Sequence, residues 1–261
     1  MGSRSDALSR FAELVRGAEA GIDLAEAALL IGVAGDPGTE ARPWLAELDR
    51  HASGLRGIDD LRARFFGELG FRGDTQTYYD PQNSFLHRVL ERRRGIPISL
   101  SVLFVEIGRR AGILVDPVGM PGHFLVGLRD GRYLDAFDAG RIMDLAACEA
   151  RFREATGSGP GVPFGPELLA PVGPYAILAR MLANLEAVYG GQQSGPDLEW
   201  VARLRLALPG AGSEEAMALA SALELQGRFL DAARALEDMA GGTAEGAALR
   251  ATAQRLRSRF N

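Results

Sequence analysis

Apolar residues recur at spacings of three and four along the first part of the chain. Leu8, Phe11, Leu14 and Val15 mark one helix face, and residues 24–33 and 44–48 continue the pattern. Asp36-Pro37-Gly38 interrupts it as a turn would. A further short helix is predicted over 61–69. From 73 to 83 the pattern turns polar and aromatic, with Tyr78, Tyr79 and Asp80-Pro81, and reads as a loop. Residues 84–94 read as helix and end in three arginines, charges that suit a helix C-terminus. In the segment 95–112, Pro97 fits the first turn of a helix and Gly112 the position just beyond its end. Between them Ile98, Leu100, Val102, Leu103, Phe104, Val105 and Ile107 cover nearly every face, which predicts a helix buried all round.

The period then shortens. Residues 113–118, 123–128 and 132–137 are short and rich in strand formers, and Asp130-Gly131 between the last two is a two-residue hairpin signal. With that turn, paired positions sum to 261, so Val126 faces Asp135 and His123 faces Asp138. A three-residue loop would slip the register and flip the faces. Residues 143–152 read as helix. Five glycines and five prolines fall within 157–174, a linker or an ordered cover. Helices are predicted over 175–189, 198–208, 214–226, 229–239 and 244–260. Gly227, Phe229, Ala232 and Leu236 match the second half of a tetratricopeptide unit; a free solenoid needs about three such units, so the tail is expected to pack on the core.

Composition narrows the chemistry. The 261 residues carry 29 basic and 34 acidic side chains, and every basic one is arginine. Without lysine, Schiff-base chemistry and a P-loop are excluded. The single Cys148 excludes an intramolecular disulfide and a cysteine-rich zinc cluster, which points to a reducing, cytoplasmic setting. No apolar run reaches membrane-spanning length, and the start lacks a signal-peptide core. Met1-Gly2 opens as a myristoylation signal does, but Asp6 stands where Ser or Thr belongs. The net charge of −5 argues against a dedicated nucleic-acid binder.

Two longer strings carry a resemblance: Tyr78-Tyr79-Asp80-Pro81-Gln82-Asn83-Ser84, and Leu90-Glu91-Arg92-Arg93-Arg94-Gly95-Ile96-Pro97-Ile98-Ser99-Leu100-Ser101. With Gly119-Met120-Pro121-Gly122-His123-Phe124-Leu125-Val126 and Leu134-Asp135-Ala136-Phe137, the chain resembles the transglutaminase-like family of SirB-type bacterial proteins and a subset of F-box proteins. The resemblance runs from about 60 to 150. It implies an α+β fold with a transglutaminase/papain-like core, a buried helix on a small antiparallel sheet. A helical N-terminal segment (1–72) would precede the core (73–156); the Gly/Pro-rich linker (157–174) and a helical C-terminal domain (175–261) would follow. In that superfamily a Cys at the start of the buried helix is activated by a His that an Asp or Asn orients. Here the Cys slot falls on Pro97, as in SirB-type proteins, and His123 fills the His slot. For the third member the hairpin geometry selects Asp138, whereas the family motif places its Asp at Asp135.

Proline offers no nucleophile, so a covalent thioester at that position is excluded. Ser99 and Ser101 lie in the first turns of the same helix. A helix terminus contributes at most ~2 kcal/mol, roughly 1.5 pKa units, too little to ionise a serine near neutrality. Ser99 would therefore need His123 as base; otherwise it is a helix-start residue bonded to local backbone. Cys148 reads as a buried apolar filler, and His51 and His87 as surface or helix-face residues. Asp80 and Asn83 either line the site or fasten their loop through side-chain–backbone bonds. His123 with the nearby aspartates makes too few ligands for a metal, and no cofactor motif appears. The expectation is a non-catalytic binding or regulatory protein with a peptide or protein partner. The alternative is a hydrolase or acyl transferase using His123, Asp138 or Asp135, and Ser99 or an activated water.

Overall fold

In the computed structural model, which describes residues 3–241 and 244–259, the chain is built around the helix that begins at Pro97. Met1-Gly2 and the predicted end of the last helix at Phe260 lie outside the described residues. The central helix, α6 below, spans Pro97–Arg110 and is buried along every face from Pro97 to Gly108. Its last turn carries Arg109 and Arg110, which close on the buried carboxylate of Glu106 at 3.0 and 2.6 Å. Gly112 follows at φ +72°, a left-handed conformation that only glycine adopts without strain.

The N-terminal helices wrap this element. They are α1 (Arg4–Val15), α2 (Leu24–Gly35), α3 (Ala41–Ala52) and α4 (Ile58–Arg62), the last running into a π-helical turn, Ala63–Glu68. α2 is buried over almost its whole length from Leu24 to Ala34, with Glu26, paired to Arg10 at 2.8 Å, as its one charged side chain. A strand of two residues, β1 (Arg72–Gly73), then pairs in parallel with β2 (Arg94–Gly95), and α5 (Leu86–Arg92) lies between them. The three arginines therefore do not share a helix end: Arg93 takes a left-handed cap at φ +58° and Arg94 enters β2.

Four short antiparallel strands follow in sequence order: β3 (Asp116–Val118), β4 (Leu125–Gly127), β5 (Tyr133–Asp135) and β6 (Arg141–Met143). The fourth was not read from the sequence, where Met143 was placed in a helix; that helix, α7, spans Leu145–Thr156 behind an Asp144 cap. Phe124, Val126, Leu134 and Ala136 face the core shared with α6, while Val118, Leu125 and Met143 face Cys148 and Phe152 of α7. Leu169, from a short turn (Pro166–Leu169) in the Gly/Pro-rich segment, joins the second layer, so that segment covers the sheet.

The predicted register is corrected. Val126 pairs with Leu134 and Gly127 with Tyr133, so positions sum to 260. Leu128 N–H donates to the Arg132 carbonyl at 2.8 Å, which leaves a three-residue loop with Gly131 at φ +82°.

The remaining helices are α8 (Pro174–Gly191), α9 (Gly195–Ala207), α10 (Ser213–Glu224), α11 (Phe229–Met239) and α12 (Ala244–Ser258). α8 and α9 contribute Ile177, Leu178, Met181, Leu185 and Trp200 to the same core as α2 and α6, whereas α10–α12 enclose a second, smaller one. Among the described residues no helix is long and apolar enough to cross a membrane.

Candidate functional site

His123 follows a tight turn. Its backbone N–H donates to the Met120 carbonyl at 3.1 Å, and Gly122 sits at φ +75° with Ala155 and Thr156 packed against the space where a side chain would be. The imidazole is 6% exposed. Its Nε2 lies 2.9 Å from Asp135 Oδ2, and Nδ1 makes no hydrogen bond among the described residues. Phe137 meets the ring edge-on at 6.3 Å.

Asp135, not Asp138, is the partner of His123, and the register is the reason. With positions summing to 260, the diagonal from His123 reaches Asp135 at the end of β5. There the chain turns, because Asp135 Oδ1 accepts the N–H groups of Phe137 (3.0 Å) and Asp138 (3.2 Å). The turn sends Asp138 outward, half-exposed, between Arg141 and Arg151. Asp135 is fully buried. Burial alone would raise its pKa, but the hydrogen bond from His123, the charges of His123 and Arg151, and the Asp138 N–H hold it below the usual carboxylate range. It is therefore an anion at neutral pH, and it fixes the imidazole with its proton toward Oδ2. Arg151 Nε stands 3.3 Å from the same Oδ2.

At the start of α6, Ser99 makes a closed set of bonds. Its hydroxyl donates to the Asn83 carbonyl at 2.6 Å and accepts the Ile96 N–H at 3.1 Å. Gly95 is needed beside it, since a Cβ there would lie 2.7 Å from Ser99 Oγ. No hydrogen bond joins Ser99 to His123 among the described residues; the serine acts as a helix-start residue. Ser101 Oγ points toward the Phe124 carbonyl at 3.5 Å, too long for a strong bond. Pro97 occupies the first helical position.

Asp80 and Asn83 fasten the loop between β1 and α5. Asp80 caps the turn Pro81–Asn83 by accepting the Gln82 N–H, and Asn83 Nδ2 donates to the Thr77 carbonyl at 2.7 Å. Asp74, unread in the sequence, accepts the Gln76 and Thr77 N–H groups and the Thr77 hydroxyl. The loop so held presents Tyr78 and Tyr79, 39% and 75% exposed, with Tyr78 edge-on to Phe137 at 5.9 Å.

Two arginines were missed by sequence reasoning. Arg151, on α7, had no distinguishing signal. Arg180, on α8, is a charge set among Ile177, Leu178, Met181 and Leu182, and that interruption of an apolar run was the available clue. Its guanidinium donates to the carbonyls of Met120 (2.8 Å) and His123 (2.7 Å) and lies over the Phe124 ring.

The other candidates lie elsewhere. Cys148 is buried beneath the sheet, and burial, with the charges of Asp144 and Asp135, pushes its thiol up to about 11. His87 is not a surface residue: it is 2% exposed, stacked on Phe85, with Nε2 3.2 Å from Asp36 Oδ2. His51 is half-buried between Glu47 and Arg93. Among the described residues no group of three His, Cys, Asp or Glu side chains converges as a metal site requires. Cavities of about 910 Å³ beside α1 and α9 and about 450 Å³ under the β4–β5 hairpin are lined by neither His123 nor Asp135.

Comparison with known proteins identifies relatives of the chain. A UPF0162 protein of Xylella fastidiosa is 44% identical over 128 residues, covering 48% of this chain and 46% of that protein. A UPF0162 protein of Vibrio cholerae is 33% identical over 181 residues, 64% of this chain and 66% of that one. The human F-box only protein 21 is 30% identical over 151 residues, 54% of this chain but 22% of that much longer protein. The chain thus spans about half the length of the first of these relatives. No solved structure matches it. The transglutaminase-like superfamily model matches residues 39–183, from α3 through the sheet and into α8. This span is more than half of the chain and contains the central helix, Pro97, His123 and Asp135; the chain belongs to the transglutaminase-like superfamily.

Proposed function

We propose that this protein is a non-catalytic member of its superfamily, a binding or regulatory protein of the reducing cytoplasm whose site around His123 engages a peptide or protein partner. The observation that supports the reading is the pairing of an intact His123–Asp135 dyad with Pro97 at the first position of α6. For covalent catalysis an oriented imidazole needs a hydroxyl or thiol within reach to activate. Ser99 Oγ is engaged on both sides by backbone, and the Cys148 thiol is buried on another face. What the arrangement retains is a rigid polar group beside exposed aromatic side chains, which suits recognition.

The test compares wild type with His123→Ala and Ser99→Ala against ester, amide and glutamine-donor substrates, with thermal stability recorded for each. No turnover above buffer is expected from any of them. Turnover by wild type that disappears in a folded His123→Ala protein would replace this reading with a hydrolase or acyl transferase. If Ser99→Ala retained that turnover, an activated water would be the nucleophile.

A further inference from the structure

Among the described residues Arg180 is a cation without a counter-ion. Its guanidinium is largely withdrawn from water against Gly119, Met120 and Phe124, and among the described residues no carboxylate lies within 4.0 Å of it. Several other arginines are compensated by carboxylates. Arg88, Arg109, Arg205 and Arg228 are all held by Asp or Glu partners, and those partners push their pKa values up. Arg180 is pushed down by burial, with only the Tyr78 phenol opposing. A guanidinium stays charged in a protein and has five N–H donors. Two carbonyls take part of that capacity, and neither neutralises the charge. Burying an uncompensated charge is costly, and an anion that arrives from solution recovers that cost.

Position makes the charge useful. The two carbonyls that fix the guanidinium belong to the turn that presents His123, one of them to His123 itself, whose Nδ1 makes no hydrogen bond among the described residues. Tyr78, 39% exposed, stands near the same guanidinium on a loop that Asp74 and Asn83 fasten, with Tyr79, 75% exposed, edge-on beside it. Arg180 comes from α8, outside the sheet that carries the dyad, and brings a cation to the turn that presents His123.

Resting on the reading of this site as a binding site, we infer that Arg180, beside His123 and Tyr78, is the seat for a carboxylate presented by the partner, an acidic side chain or a chain-terminal carboxylate. A guanidinium suits this group, because its planar fork matches a carboxylate and it keeps its charge at any working pH.

The three histidines give the experiment its reporters. Uniformly 15N-labelled protein is titrated, at constant ionic strength, with glutarate, with the neutral isostere glutaramide, with inorganic phosphate, and with the peptides acetyl-Gly-Glu-Gly-amide and acetyl-Gly-Gly-Gly carboxylate. Glutarate is expected to shift the His123 imidazole signals saturably while those of His51 and His87 stay in place, and glutaramide to shift none. The two peptides separate the sources: a side-chain carboxylate moves His123 through the first, a terminal one through the second. In Arg180→Gln the affinity for glutarate should fall at least tenfold, about 1.4 kcal/mol, and Arg180→Lys should recover part of it. Unmoved His51 and His87 signals in the variants report an intact fold. Should Arg180→Gln fail to fold, the wild-type contrast between glutarate and glutaramide decides the matter alone. Equal shifts by both, shifts at all three histidines, no saturable shift, or tighter binding of phosphate than of any carboxylate would overturn the inference. Turnover does not enter these readouts, so the absence of a carboxylate site and the presence of catalysis are separately visible.

Discussion

At the residue scale the site turns on which aspartate meets His123, and mutation separates them cleanly. Asp135 is fully buried against His123 and Arg151, so Asp135→Ala leaves the Arg151 guanidinium and the imidazole N–H facing an emptied position. A loss of about 3 kcal/mol is expected from urea unfolding. Asp138 is half-exposed, and Asp138→Ala should change stability by less than about 0.5 kcal/mol. Equal effects would contradict the register described above. The sequence made His123 and both aspartates visible but could not rank them, because Asp130-Gly131 is compatible with a loop of two residues or of three. Only the backbone shows that Arg129 belongs to the loop, and one residue of slip moves every partner. Ser99 shows a different limit: its hydroxyl is a nucleophile or a cap according to what lies opposite, and the Asn83 carbonyl that decides it is sixteen residues away.

Among elements, α6 was the most legible, since Pro97, Gly112 and an apolar residue on every face between them leave little other than a buried helix. Phe104, fully buried within it and packed against Phe65 at 5.3 Å, is expected to cost 3–5 kcal/mol on replacement by Ala, read as a lowered urea midpoint. The strand β6 was hidden because three residues carry almost no period of their own; Ile142 and Met143 look the same at a helix start. The β1–β2 ladder was hidden for the same reason, and β1 also lies tight against the turn after β5, since a Cβ at Gly73 would lie 2.6 Å from the Phe137 carbonyl oxygen. Gly73→Ala should therefore destabilise by roughly 1–3 kcal/mol through overpacking. Because Phe137 borders His123, the same variant should also shift the His123 imidazole signals, whereas Gly17→Ala, in open space, should do neither.

For the whole molecule, acid sensitivity follows from two histidines held neutral. Burial lowers the pKa of His87 and of His51 below the ordinary 6.5, in each case against a carboxylate that pulls the other way. The unfolded chain then binds protons near pH 6.5 that the folded chain refuses, so stability is full above that pH and falls as pH drops below it. Asp36, Asp74 and Asp135 have lowered values, and their contribution is lost only at pH below about 3.8. Urea midpoints should accordingly decline from pH 7 to pH 5, and that slope should flatten in the His51→Gln/His87→Gln double variant; an unchanged slope would place the sensitivity elsewhere. One feature of the core bears on how the chain is made. α2, buried over almost its whole length, is sealed by α8 and α9, and the Tyr175 hydroxyl closes on the carbonyls of Val15 and Gly17 at 3.1 and 2.7 Å. At ~5–20 residues per second of synthesis, the residues that complete this seal emerge roughly 10–40 s after α2 itself. For that interval the face of α2 that α8 and α9 will cover stays open to water in the nascent chain. A chain cut at residue 173 would remain in that state indefinitely and should aggregate on release.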